Sequence, residues 1–298
     1  MATCSSEKTI RIYSKNDRTK QFDEVAVLDK GHEGPIWELS WSHPKFGNLL
    51  ASCSFDRSVI IWKELSTNRW KSVHKYIGHA FSVNCVEWAP FEYGPILACG
   101  SADGHVTILT WIDKDEKWSH TKIRIEGSAG VNAISWGPPP IEDSFLISGD
   151  PDNRLPIYDS PKFVVGCCDG SVRIYESVDS GANWVQTQQV GTHGDWVRDV
   201  AWAPNICGSR LMIASCSQAC NLYIWSKGQQ DGDGDKWKQT LLNKFTEPVW
   251  RVTWSECGST LAVACGDNKI TLWKESPDST WKCVTCLDAP NEDSPPKN

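Results

Sequence analysis

The chain is an all-β protein, a six-bladed β-propeller whose ring is left open, and three features of the sequence predict this. One strand-turn-strand unit is written six times: MATCSSEKTIRIY at 1, LASCSFDRSVIIW at 50, ILACGSADGHVTIL at 96, FVVGCCDGSVRIY at 163, IASCSQACNLYIW at 213 and LAVACGDNKITLW at 261. Its turn positions, Glu7, Asp56, Asp103, Asp169, Ala219 and Asp267, are 49, 47, 66, 50 and 48 residues apart. A period of about 40 to 50 residues built from short alternating strands marks propeller blades, each a four-stranded antiparallel sheet. All seventeen tryptophans also fall on repeat positions: the two ends of a first strand a, the close of strand c, and the start of strand d. Such regularity reads as packing and leaves no aromatic set over for a ligand box.

Blade one offers only three strands, MATCSS, TIRIYS and DEVAVLD (23–29), which match strands b, c and d. Its inner strand a is missing, so the natural chain is expected to begin upstream. Blade two is complete, with strands IWELSWS (36–42), LLASCS (49–54), SVIIWKE (58–64) and KSVHKYIG (71–78). Blade three follows the same order, with Leu109 at the usual aromatic position of strand c and Trp111 two residues beyond it. Blade four carries an insert, 141–160, between its strands a and b, which accounts for the long spacing and reads as a surface loop. Blade five joins c to d through QQDGDGDKW (229–237), and blade six ends on WKCVTCLD (281–288). That last strand completes its own blade, so none remains to lock the first blade to the last. The domain spans 1–289, and residues 290–298, PNEDSPPKN, read as a disordered tail. An unlocked ring leaves sheet faces and edges exposed, and their expected cover is another polypeptide.

Composition narrows the function classes. The net charge of −7 supplies no basic footprint for nucleic acid or an anionic membrane surface. No apolar run reaches the roughly 18 residues of a membrane span, and the N-terminal stretch lacks a signal-peptide core. Thirteen cysteines, an odd number, lie mostly inside strand patterns and read as small buried residues of a reducing compartment, a cytoplasmic one. Asp231, Asp233 and Asp235 approach calcium-loop spacing, but the loop's sixth position is Lys236 and its twelfth is Leu242. Cys283 and Cys286 form a lone C-x-x-C whose members, three apart in a strand, are expected on opposite faces. No phosphate loop or nucleophile-base pair is evident, so no catalytic residue, metal or cofactor is expected.

The repeat resembles the WD-repeat family. There a His from a Gly-His pair, a Ser or Thr on strand b, the turn Asp and the strand-c Trp form a buried polar set. Blade two matches it with His32, Ser52, Asp56 and Trp62; blade three has His79 and Asp103 but Cys99 and Leu109; blade five has His193, Ser215 and Trp225 but Ala219; blades four and six lack the Gly-His pair. The longer strings HEGPIWELSWSHPKFGNLLASCSFDRSVIIWKE, HGDWVRDVAWAPN and GDNKITLWKES further resemble the propeller subunits of the COPII coat outer cage, which also serve in the Y-shaped scaffold of the nuclear pore. The resemblance implies a non-enzymatic scaffold at ER exit sites and coat vesicles, or at the nuclear pore. It implies an elongated helical-repeat coat subunit that donates a seventh blade between blades one and six, with pore scaffold subunits as further partners and only indirect membrane association. Expected gap-facing residues are Ile10, Ile12, Val25 and Val27 on blade one and Leu261, Val263, Ile270 and Leu272 on blade six. The nearest alternative is a related propeller of pore scaffolds and a nutrient-signalling complex. A different class, a substrate receptor of a ubiquitin ligase, would need a W-D-x-R ending on strand c, and none of the six endings fits it.

Overall fold

Alternating apolar residues set the strands, and small polar turns join them, so that each repeat folds into one sheet. The computed structural model describes residues 1–139, 160–179, 181, 183–204, 210–228 and 236–288. The insert, the three aspartates of the QQDGDGDKW loop and the tail therefore lie outside the described residues, apart from Ser160.

Blade one comprises β1 (Ala2–Cys4), β2 (Ile10–Lys15) and β3 (Phe22–Leu28); blade two β4 (Ile36–Trp41), β5 (Leu49–Ser54), β6 (Val59–Ser66) and β7 (Arg69–Tyr76). Blade three holds β8 (Val83–Trp88), β9 (Ile96–Ser101), β10 (His105–Ile112) and β11 (Lys117–Arg124); blade four β12 (Val131–Trp136), β13 (Lys162–Cys167), β14 (Ser171–Ser177) and β15 (Trp184–Thr192). Blade five is β16 (Val197–Trp202), β17 (Arg210–Ser217), β18 (Asn221–Gly228) and β19 (Lys238–Lys244), and blade six β20 (Val249–Trp254), β21 (Thr260–Cys265), β22 (Lys269–Glu275) and β23 (Trp281–Asp288). Every sheet is an antiparallel meander in chain order, five with four strands and the first with three. Among the described residues no helix is long and apolar enough to cross a membrane.

Burial explains the composition of each strand. Strand b lies between two blades and is buried on both sides, as in β5 and β9, where all six residues are buried. The outermost strand d faces water on one side and alternates, as in β7. The described core divides into five clusters, one for each pair of consecutive blades. No described cluster joins blade six to blade one. The tryptophans closing strand a and opening strand d meet edge to face in every complete blade: Trp41–Trp70, Trp88–Trp118, Trp136–Trp184, Trp202–Trp237 and Trp254–Trp281, with centroids 5.6–6.2 Å apart.

The polar set of blade two forms as its residues suggest. His32 Nδ1 lies 3.1 Å from Asp56 Oδ2, and His32 Nε2 lies 2.7 Å from Ser52 Oγ, which accepts the Trp62 indole N–H at 2.9 Å. Ser58 is a further member, its hydroxyl donating to Asp56 Oδ1 at 2.6 Å. Burial works against the Asp56 charge, but the Ser58 hydroxyl, the Glu33 N–H and His32 outweigh it and bring the carboxyl down to about 2. Gly31 is required beside His32 because a Cβ there would sit 2.5 Å from the Trp62 ring.

The other blades substitute different chemistry. In blade three Cys99 Sγ stands 3.7 Å from His79 Nε2, and Lys122 adds a cation 3.2 Å from Asp103. In blade four a strand-c arginine occupies the place of the histidine: Arg173 donates to Ser171 Oγ, Asp169 Oδ2 and the Glu126 carbonyl. In blade five Ser215 accepts from Trp225 and meets His193 Nε2 at 2.7 Å, but with Ala219 at the turn, His193 Nδ1 is buried without a partner. Burial alone pushes His193 down to about 4.

Two substitutions separate the complete set from the incomplete one. Asp56→Ala leaves buried donors unpaired and is expected to cost about 1–3 kcal/mol in a denaturant melt. Ala219→Asp supplies the acceptor that His193 Nδ1 lacks; it is expected to keep or raise stability and to move the His193 titration, followed by NMR, upward from about 4. Equal destabilisation by the two changes would contradict the equivalence of the turn positions.

Candidate functional site

The inner strands β4, β8, β12, β16 and β20 line a central channel, with a cavity of about 490 Å³. Written position by position they read IWELSW, VNCVEW, VNAISW, VRDVAW and VWRVTW. Their side chains clasp the next blade in one direction. At the second position Trp37 donates to Ser82 Oγ, Asn84 to the Val131 carbonyl, Asn132 to the Val197 carbonyl, and Arg198 stacks on the Trp250 ring at 4.7 Å. At the third and fifth positions acceptors receive backbone N–H groups: Glu38 from Val86, Ser40 from Trp88, Glu87 from Trp136, Ser135 from Trp202 and Asp199 from Val252, all at 2.9–3.1 Å. The closing tryptophans reach back, the indoles of Trp88, Trp136 and Trp254 donating to the Ser40, Glu87 and Ala201 carbonyls.

Blade six breaks this series. Its third position is Arg251, a donor, which pairs with Glu38 of blade two across the place where blade one has no described inner strand, and stands 3.7 Å from Asp199 of blade five. Burial works against the Arg251 charge, but Glu38 and Asp199 outweigh it and hold the group cationic. Burial also raises Glu38, pushes Asp199 up to about 7 and pushes Glu87 up to about 8; the Trp136 N–H opposes the rise of Glu87, while Glu38 and Asp199 add to it.

The gap between blades six and one is bounded by two unlike sheet faces. Four of the residues expected there point the other way. Ile10 and Ile12, at most 5% exposed, pack into blade two, and Leu261 and Val263, fully buried, pack into blade five. The most apolar alternate positions of a terminal blade belong to the side that already has a neighbour. Val25 is half-buried and also leans toward the blade-two cluster. Val27, Ile270 and Leu272 occupy the opposite faces; Val27 and Ile270 are each 45% exposed. Cross-strand register completes those faces. On blade six Ile270 and Leu272 sit opposite Ala264 and Ala262 on one side and Leu287 and Thr285 on the other, an apolar surface with small residues in its floor. On blade one Val27 sits opposite Arg11, which lies opposite Thr3 and pairs with Glu24 at 2.8 Å.

Sequence reasoning missed the channel wall, because it aligned the repeats on strands b and c. Aligning strand a alone exposes the acceptor positions and the one arginine among them. A second correction concerns Cys283 and Cys286. A bulge between them pairs Cys283 with Trp273 and Cys286 with Thr271, so both lie on one face rather than on opposite faces. Among the described residues no group of three or more potential metal ligands forms.

Comparison with known proteins follows the same blades. The model of the WD domain, G-beta repeat, matches residues 22–63, 70–108 and 238–274. The first of these joins the outer strand of one blade to three strands of the next. The chain is 41% identical over 283 residues to the Protein SEC13 homolog of Drosophila melanogaster, covering 94% of this chain and 76% of that protein. It is 40% identical over 292 residues to Protein transport protein sec13 of Emericella nidulans, covering 95% and 90% of the two chains. With Protein transport protein SEC13 of Mycosarcoma maydis it shares 34% over 331 residues, covering 97% and 89%.

The desolvated channel carboxyls give a pH dependence of known sign. Glu87 and Asp199 bind protons more tightly folded than unfolded, so their stabilising contribution is complete below the ordinary carboxylate range and is lost as pH rises through about 7 to 8. Glu87→Gln imitates the neutral form. Its melting temperature is expected to gain on that of the unaltered chain as pH goes from 5 to 9; a difference that stays constant with pH would contradict the burial of Glu87.

Proposed function

Because the chain belongs to the Sec13 family of WD-repeat proteins, we propose that its open ring makes it a structural subunit of the COPII outer cage in protein transport, completed by a β-blade from an elongated helical-repeat partner. The observation that carries this reading is the uncovered pair of sheet faces between blades six and one, whereas the five equivalent pairs of faces inside the chain are each packed together in a core cluster. A wedge with two faces, paired by backbone hydrogen bonds and packed on both sides, is the strand-addition mode of recognition at obligate-interface size, roughly 2,000 Å² or more. The mechanism is mechanical. The propeller stiffens the partner's joint so that a cage edge resists the bending stress of a curved membrane. No step of this role needs catalysis, and the chain meets the membrane only through the coat, on its cytoplasmic side at ER exit sites. A second assembly with the same need for a stiff joint, the Y-shaped scaffold of the nuclear pore, uses the same gap.

The test is affinity capture from cell extract with the tagged chain, followed by identification of what is retained. An elongated helical-repeat coat subunit is expected; a ubiquitin-ligase adaptor in its place would overturn the proposal. Ile270→Asp with Leu287→Asp is expected to lower capture at least tenfold. Val178→Asp, on an exposed residue of blade four, is expected to leave it unchanged, and equal loss from both would show that the blade-six face is not the contact.

A further inference from the structure

Blade three carries a tryptophan that the repeat does not require. The residue opposite the tryptophan that opens strand d is Glu64 in blade two, Ser177 in blade four and Glu275 in blade six, but Trp111 in blade three. Trp111 shares the parity of Leu109, which is buried in the seam between blades two and three, so its ring lies on the blade-two side at the end of that seam. It meets Trp118 edge to face, with centroids 5.5 Å apart, and stays only partly buried. A groove of about 660 Å³ opens there between the two blades, within the range of roughly 300–1,000 Å³ usual for ligand sites. Its apolar surface comes from Phe46, Leu49 and Val73 on blade two and from Pro95, Trp111 and Trp118 on blade three. The bulge in β7 leaves Val73 without a cross-strand partner and 43% exposed. His74 adds a ring 5.9 Å from that of Trp118, and burial, then His120, lower its pKa, so it enters as a neutral aromatic wall. The two walls also carry opposite charges that do not meet. Lys63 lines the groove from blade two, and Asp113 and Glu116 line it from the hairpin between β10 and β11. None of these three side chains takes part in an ion pair among the described residues, whereas Lys117 of the same hairpin is held by Asp115 at 2.9 Å.

We propose that this groove binds an extended, proline-containing segment of a partner protein that carries a basic residue on one side of its prolines and an acidic residue on the other. The walls are sheet faces, so an occupant meets side chains rather than a row of unpaired backbone groups, and strand addition has no edge to use. A proline-rich segment suits such walls: it holds an extended shape with its backbone in water and docks in aromatic-lined grooves. Its prolines pack on Trp111 and Trp118, its basic residue meets Asp113 and Glu116, and its acidic residue meets Lys63. The groove belongs to blades two and three and stands apart from the gap proposed for the coat partner.

The probe is a library of short peptides in two pools, one with two fixed prolines a residue apart and one without proline, selected on the immobilised full chain. Sequences from the proline pool are expected to be enriched, with Arg or Lys at one end and Asp or Glu at the other. Trp111→Ser, which installs the residue that blade four has at this place, is expected to keep the melting temperature and to weaken the best peptide about tenfold or more. Asp113→Lys, on the exposed hairpin, is expected to weaken that peptide and to strengthen the one whose basic residue is replaced by Glu. No enrichment from either pool, or enrichment of the proline-free pool, would overturn the proposal. So would equal enrichment on the Trp111→Ser chain, or a charge preference that Asp113→Lys leaves unchanged. Should Trp111→Ser unfold, the charge reversal at Asp113 decides alone. Ile270→Asp with Leu287→Asp, which tests the coat partner, is expected to leave peptide binding intact; loss of binding there would place the contact in the gap and overturn the groove.

Discussion

Each blade is a sheet with two faces, and neither can be left in water across its apolar strands. Inside the ring the requirement is met pairwise: every interior strand b is sealed by the blades on both sides, and the five core clusters are the seams. Six blades in a row have five seams. The terminal blades therefore each keep one unsealed face, and the departures from regular repetition gather there. The apolar seams, rather than the buried polar sets, hold the fold, since only blade two has the complete set while a thiol, a guanidinium or an unpartnered histidine serves elsewhere. A partly satisfied polar network adds little stability and can subtract some.

The channel wall shows the same constraint in hydrogen bonds. Each inner strand from β4 to β16 offers acceptors to the N–H groups of the next, so the row of blades has a direction, with outgoing acceptors on one side of a blade and incoming donors on the other. A carboxylate does this work at Glu38, Glu87 and Asp199 at the cost of partial desolvation, and the rise of Glu87 to about 8 reflects it. Arg251 meets two of these carboxylates from the last blade. The pair with Glu38 joins blade six to blade two at the channel.

Blade number, strand order and the tryptophan pattern were legible because they rest on a repeat that the eye can align. The polar set of His32, Ser52, Asp56 and Trp62 was legible for the same reason. The faces of the gap were not. Alternation limits each terminal strand to two faces but does not say which one meets the neighbour, and the choice of Ile10, Ile12, Leu261 and Val263 followed apolarity, which tracks the seam already filled. The uncovered side is less apolar, with alanines and threonine around Ile270 and Leu272 and an ion pair beside Val27. Arg173 could not be recognised from the motif, since it reaches the turn acid from a different strand. The placement of Cys283 and Cys286 on one face depends on a bulge, and a single inserted residue reverses the parity that the alternation argument uses.

The central claim is that the ring is open and its last seam is supplied from outside. Native-state hydrogen exchange of the free chain, resolved by blade, tests it most directly. The account expects the slowest exchange in β9 and β13, at the middle of the row, a decline toward β2 and β22 at its two ends, and recovery of protection at both ends together when the partner binds. Uniform protection of all six blades in the free chain would contradict it, because a ring already sealed has no seam to fill.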